Sequence, residues 1–152
     1  MKDDEYYMAL AIKEAQKAAA IDEVPVGAVI VDKNKKVIGY GYNCPISSND
    51  PTSHAEINAM RMACLVLNNY RLIDTVLYVT IEPCIMCMGA IIHARINRVV
   101  FGAKDPKWGG AGSLYCLAED KRLNHHPEIV SGIYEETTKQ LMKNFFLNKR
   151  SQ

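Results

Sequence analysis

The 152-residue sequence has almost no net charge, no apolar run long enough to cross a bilayer, no internal repeat and no low-complexity tract. A formal charge of +1 excludes a chain drawn as a whole onto nucleic acid or an anionic membrane, so any polyanion must be met by a local patch. From Lys104 onward eight Lys or Arg stand against six Asp or Glu, an excess that by itself suggests no RNA. The opening stretch MKDDEYYMALAIKEAQ is acidic and amphipathic. It lacks the basic start, apolar stretch and small-residue cleavage site of a secretory leader, and the chain reads as cytoplasmic. Thiols stay reduced there, so a close pair among the five cysteines is read as metal-binding or catalytic before it is read as a disulfide.

What is present suits a globular fold. With 49% hydrophobic and 23% charged residues, the length supports one domain, residues 1–152, around a real core. Met8, Ala11, Ile12, Ala15, Ala18 and Ala19 recur at helical spacing and predict an amphipathic helix over residues 4–20. VGAVIVD and KVIGYGY, separated by KNKK, predict a hairpin, and NCPISSNDPTS a loop. HAEINAMRMACLVL reads as a helix, TVLYVTI as a strand, CIMCMGAIIHAR after Pro83 as a helix and RVVFGA as a strand. KDPKWGGAGS is a loop, the segment to His126 follows no clear period, and IYEETTKQLMKNFFLNKR closes the chain as a helix. The alternation implies an α/β fold with a mixed β-sheet flanked by helices.

Chemistry concentrates around IEPCIMC, where Cys84 and Cys87 stand three apart directly after Pro83. They can be metal ligands, a redox pair or two buried thiols. Three-residue spacing at a helix start turns both thiols to one face, and the helix dipole favours thiolate there. A closed structural zinc site needs a second pair of ligands, and none stands nearby; an open site needs one more ligand and a water. His54, His93, His125 and His126 are the available histidines. His54 lies at a loop-to-helix boundary in TSHAE, with Glu56 two residues on. Two thiolates cancel the charge of Zn²⁺ and weaken its pull on a water proton, which gives a nearby carboxylate a role as base. Glu56 has a second reading, as the far end of a capping box Ser53-x-x-Glu56. His93 reads as a hydrogen-bonded helix histidine, and His125 and His126 as part of a surface turn. Nothing in WGGAG follows a strand and opens a helix as a phosphate-binding loop requires.

HAE followed by PCIMC resembles the H-x-E…P-C-x-x-C signature of zinc-dependent nucleobase deaminases. EVPVGAV, NCPISSNDPTSHAE, LYVTIEPCIMCMGAIIHARINRVVFGAKDPK, GAGS and the terminal FF extend the likeness to the bacterial tRNA-specific adenosine deaminase family over nearly the whole chain. The resemblance implies a three-layer cytidine-deaminase-like fold and deamination of adenosine to inosine at the wobble position of a tRNA anticodon. It implies one Zn²⁺ per chain on His54, Cys84 and Cys87, with Glu56 as proton shuttle. It further implies that Asn43 holds the flipped nucleotide, that Asp105 and Lys107 meet its neighbours, and that Val24, Pro25 and Pro45 wall the base. Phe146 and Arg150 would sit on a C-terminal helix that touches RNA. The implied assembly is a homodimer acting on tRNA, with no membrane and no natural DNA substrate. Asn43 and Asp105 also read as plain turn residues. The sequence departs from the family pattern at Cys44, Pro106, Trp108 and Cys116. Rival readings are a deaminase of free cytidine, cytosine or guanine, and a zinc-containing RNA-binding module without chemistry.

Overall fold

A computed structural model describes residues 2–151. Its elements are α1 (Lys2–Ala20), β1 (Gly27–Val31), β2 (Val37–Tyr42), α2 (Pro45–Ser48), α3 (Ala55–Leu67), β3 (Val76–Ile81), α4 (Ile85–Ala94), β4 (Arg98–Ala103), β5 (Glu128–Val130) and α5 (Glu135–Arg150). A 3₁₀ turn at Leu117–Glu119 lies between β4 and β5. The strands form one sheet in the order β2-β1-β3-β4-β5. β1 runs antiparallel to β2 and β3, whereas β3, β4 and β5 are parallel. The mixed sheet expected from the sequence is therefore present, with its strand order now fixed.

Alternation along the central strands sorts the core into two sides. Val29, Val31, Tyr78 and Val100 face α1 through Tyr7, Met8 and Ala11. Ala28, Ile30, Val79 and Phe101 face α3 and α4 through Ala59, Ala63, Met88 and Ile91. Two glycines allow the close approach. A Cβ on Gly27 would lie 2.0 Å from the Ala11 carbonyl oxygen of α1, and one on Gly41 2.1 Å from that of Ala55 in α3. α5 joins the α1 side, where Ile133 just before it packs and Thr138 Oγ1 accepts a 3.0 Å hydrogen bond from the Ala103 amide. Helices thus cover both faces of the sheet.

Three elements differ from the sequence reading. Pro45 opens a single helical turn, α2, inside the expected loop, because its fixed φ suits a first helical position. β5 is three residues long at a sheet edge, too short to show a period. α5 starts at Glu135, not at Ile133, because Gly132 and Tyr134 adopt φ of +91° and +54° and turn the chain first.

α1 is tied to the sheet by a buried carboxylate. Asp4 accepts 2.8 and 2.7 Å hydrogen bonds from the Arg98 guanidinium and one of 2.8 Å from the Tyr78 hydroxyl. The Arg98 bonds hold the Asp4 carboxyl below the usual aspartate range against the opposing effect of burial. Asp4→Asn should cost about 1–3 kcal/mol, the usual cost of stripping a charged group of its buried partner. A depressed folded-state pKa makes this contribution complete above the ordinary aspartate value of about 3.9 and lost as pH falls through the folded value. Urea unfolding of the two proteins should therefore show a gap at pH 7 that begins to close once pH falls below about 3.9; a gap independent of pH would deny the ion pair its role.

Candidate active site and metal centre

Two helices begin at the same point. His54 is the N-cap of α3 and Cys84 the N-cap of α4, both with extended backbone (φ −79°, ψ 157° and φ −74°, ψ 174°). Cys87 follows in the first turn of α4. His54 Nδ1 lies 3.6 Å from Cys84 Sγ and 3.5 Å from Cys87 Sγ, and the three ligand atoms lie within 4.8 Å of one another. Zinc bonds of about 2.1 Å to nitrogen and 2.3 Å to sulfur at tetrahedral angles require N···S separations of about 3.6 Å. The residues therefore fit the ion. The Cys87 thiol donating to Cys84 holds the Cys84 thiol down to about 4, with His54 assisting, while the same bond and burial push Cys87 up. The hydrogen bond to Cys84 also raises His54, so the cluster favours a thiolate beside a charged imidazole.

Glu56 sits in the first turn of α3, only 4% exposed. Burial, with the Cys84 charge adding to it, pushes its carboxyl up to about 7. Because His54 is extended and not helical, the rule that residues two apart diverge on a helix does not separate this pair. The capping-box reading fails: Ser53 Oγ bonds the Asn58 amide and lies 3.2 Å from Cys44 Sγ, and α3 has no side-chain cap. His125 and His126 bond the carbonyls of Ile96 and Ala118. His93 is exposed on α4 and, among the described residues, makes no hydrogen bond, contrary to the expectation of a bonded helix histidine.

A cleft of about 1130 Å³ opens over His54, Glu56 and Cys84. Val24, Asn43, Pro45, Asp105, Lys107, Phe146 and Arg150 line it, as do Lys104, Lys139 and Lys143. Pro25 does not; it is buried between two lining valines, Val24 and Val26. Asp105 acts within its own loop, accepting hydrogen bonds from the Lys107 and Trp108 amides at 3.0 and 3.2 Å.

Two buried glutamates escaped the sequence reading. Glu23 accepts from the Ile46 and Ser47 amides at 3.3 and 2.6 Å and so holds α2, with Pro45, against the cleft. Glu82, next to Pro83, accepts from the amides of Asp105, Ala111 and Ser113 at 3.0–3.1 Å and from the Ser113 hydroxyl. Burial pushes its carboxyl up, but the Ser113 bonds and the other amides outweigh it and leave it lowered. The available signal was a charged residue directly after the apolar strand TVLYVTI.

The family model of the cytidine and deoxycytidylate deaminase zinc-binding region matches residues 1–103, which contain all three ligand candidates and Glu56. A curated tRNA-specific adenosine deaminase from Haemophilus influenzae is 47% identical over 149 residues, 98% of this chain and 86% of the relative. The chain belongs to the tRNA-specific adenosine deaminase family. A solved structure from a study of A-to-I editing by tRNA:A34 deaminases at the wobble position superposes with a TM-score of 0.86 at 43% identity, over 90% of this chain and 98% of that one. A guanine deaminase from Bacillus subtilis, 42% identical, covers 66% of this chain and 64% of its own with a TM-score of 0.62. The fold is that of the cytidine deaminases, and the cofactor of this deaminase is zinc.

Purified protein should carry about one zinc per chain, and Cys84→Ala or Cys87→Ala should lose most of it by elemental analysis. Full zinc in both variants would dismiss the assigned ligands. Glu82→Gln should cost about 1–3 kcal/mol, because an amide cannot accept at both ends. Hydrogen exchange at Ala111 and Ser113 should accelerate with it, and unchanged exchange would show that the loop holds without Glu82.

Proposed function

We propose that the whole chain, as one domain of residues 1–152, converts adenosine to inosine at the wobble position of a tRNA anticodon. Deaminase activity on tRNA follows from the family; the residue roles below are our reading of the geometry. The observation that carries it is Glu56, a buried carboxyl near pH 7 beside a thiolate–histidine cluster, at the floor of a cleft with a basic rim. His54, Cys84 and Cys87 would hold a zinc ion, which would supply Lewis acidity and make a nearby water more acidic. Glu56 takes a proton from the attacking water and delivers it to adenine N1 as the water oxygen bonds C6. Glu56 then takes the remaining proton from the new C6 hydroxyl and delivers it to the amino group as the C6–N6 bond breaks, so that C6 becomes the carbonyl of inosine and ammonia leaves. A group near 7 suits both directions of transfer. Val24 and Pro45 wall the base, and Asn43, buried at the cleft, bonds the nucleotide.

The cleft of about 1130 Å³ runs past Glu56 to a rim of lysines and Arg150 that a free base or nucleoside would leave without a partner. This favours a polynucleotide over the free-base substrate that the guanine deaminase likeness would suggest. Lys104, Lys107, Lys139, Lys143 and Arg150 provide phosphate contacts, and RNA, not DNA, is the natural substrate. A second copy of the chain completes the assembly. Its docking face is supported by the apolar groove between α3 and α4, where Leu65 is 83% exposed beside Cys64, Tyr70 and Ala90. Among the described residues no helix is long and apolar enough to cross a membrane. Thiolate ligands need a reducing compartment, which supports the cytoplasm.

Zinc-loaded protein incubated with total tRNA should convert wobble adenosine to inosine, read by sequencing; conversion confined to free bases or nucleosides would favour the alternative substrate class. Glu56→Ala should keep its fold, zinc and RNA binding yet lose at least about 100-fold in rate, the scale of a general acid–base contribution. A variant that unfolds but keeps its rate per folded molecule would return Glu56 to a structural role.

A further inference from the structure

Trp108 is the single tryptophan of the chain, and it is spent on the surface. It is 64% exposed at the edge of the cleft, and no hydrogen bond engages its indole N–H among the described residues. Yet the backbone that carries it is held from several sides. Its own amide bonds Asp105 Oδ1, the Gly109 amide bonds the Asp105 carbonyl at 2.8 Å, and the Gly110 amide bonds the Pro83 carbonyl at 2.8 Å. Glu82 then grips Ala111 and Ser113. A Cβ on Gly109 would lie 2.2 Å from Glu82 Oε2, so the loop lies directly on the carboxylate. A large flat side chain on a fixed loop loses little conformational freedom when something packs on it.

The surroundings say what that something is. Lys104 and Lys107 flank the indole in sequence, and Lys139 and Lys143 line the same cleft from α5, where Phe146 is 43% exposed. Aromatic faces beside a cationic groove are how single-stranded nucleic acid is held, because every base offers a π-face and every nucleotide a phosphate. An adenosine that leaves the stack to reach Glu56 also strips its neighbour of a stacking partner. We propose that Trp108 is a stacking platform for the unpaired nucleobase next to the target adenosine, replacing the face that the flipped base gives up. The proposal deepens the tRNA reading above and rests on it.

Emission excited at the red edge of the indole band, where the tyrosines do not absorb, reports this residue alone. In a Glu56→Ala background, titrating an anticodon stem-loop RNA with wobble adenosine should quench that emission to saturation. Trp108→Leu in the same background should weaken binding roughly 5- to 150-fold at fixed salt, the range for one base stacked on an aromatic ring, and Trp108→Phe should keep most of the affinity. Replacing each nucleotide flanking the target with an abasic one locates the partner. At one position the abasic RNA should bind the parent weakly, and Trp108→Leu should add no further loss. Unquenched emission, equal affinities of parent and Trp108→Leu for every stem-loop, or a Trp108→Leu loss the same for all abasic RNAs would overturn the proposal. So would a change in oligomeric state in place of affinity. Should Trp108→Leu not fold, the quench and the abasic series on the parent chain with Trp108→Phe decide. Failure of the functional reading looks different: the unmodified protein would then form no inosine in any stem-loop.

Discussion

Everything at the site depends on two helices starting with extended residues at one point. Had His54 or Cys84 been helical, their side chains would have followed the helix surface away from each other. As N-caps with ψ near 160–175°, they turn inward instead, and His54 Nδ1 meets both sulfurs at 3.5–3.6 Å. The same helix starts supply free amides and positive dipole ends that favour thiolate. α3 can lie where it does because Gly41 has no Cβ to strike the Ala55 carbonyl. A methyl group on the sheet would thus displace a zinc ligand one residue away from that carbonyl.

Three buried glutamates show how one residue type does two jobs. Glu23 and Glu82 spend their oxygens on backbone amides, and each thereby fixes a wall of the cleft. For Glu82 the accepted bonds outweigh burial, and the carboxylate stays charged. Glu56 is buried without such a set of donors, and burial prevails, so its carboxyl rises to about 7. What sets the proposed proton carrier apart from the two structural anchors is that its few hydrogen bonds do not outweigh burial. The distinction follows from desolvation acting on both and amide donation rescuing only one.

Much of this was legible in the residues, and the reason is local. The Cys84–Cys87 pair, the long helices and the central strands are set by spacing within a dozen residues, which a sequence shows directly; His54, 30 positions from Cys84, was legible through its likeness to a known signature. Glu82 and Glu23 were not legible, because their partners lie about 23 to 31 positions away and a lone glutamate carries no sign of them. The capping-box alternative for Glu56 is settled only by the packed loop, where Ser53 bonds the Asn58 side chain and approaches Cys44. The resemblance places Pro25 beside Val24 as a wall of the base; a three-residue turn centred on Pro25, closed by a 2.9 Å hydrogen bond from the Val26 amide to the Val24 carbonyl, puts the two valines on the cleft and leaves Pro25 out of its lining. β5 could not be seen, since three residues hold no period and the strand exists only through pairing with Arg98, Val99 and Val100.

Charge gives the last step. A chain of formal charge +1 gave no reason to expect RNA, yet the cleft collects Lys104, Lys107, Lys139, Lys143 and Arg150 from two segments some thirty residues apart. Acidic partners are drawn off elsewhere: Asp4 on Arg98, Asp120 on Arg122, and Asp22 on Lys149. Of the acidic residues lining the cleft, Glu56 is near neutral, Glu82 is enclosed by donors, and Asp105 is turned into its own loop. The rim therefore presents cations whose counter-charges are occupied. A phosphate backbone meets a local field that net charge conceals, and the field falls off over the roughly 8–10 Å of a Debye length at physiological salt. That range is short enough to hold an anticodon loop against the cleft while leaving the rest of the surface indifferent to nucleic acid.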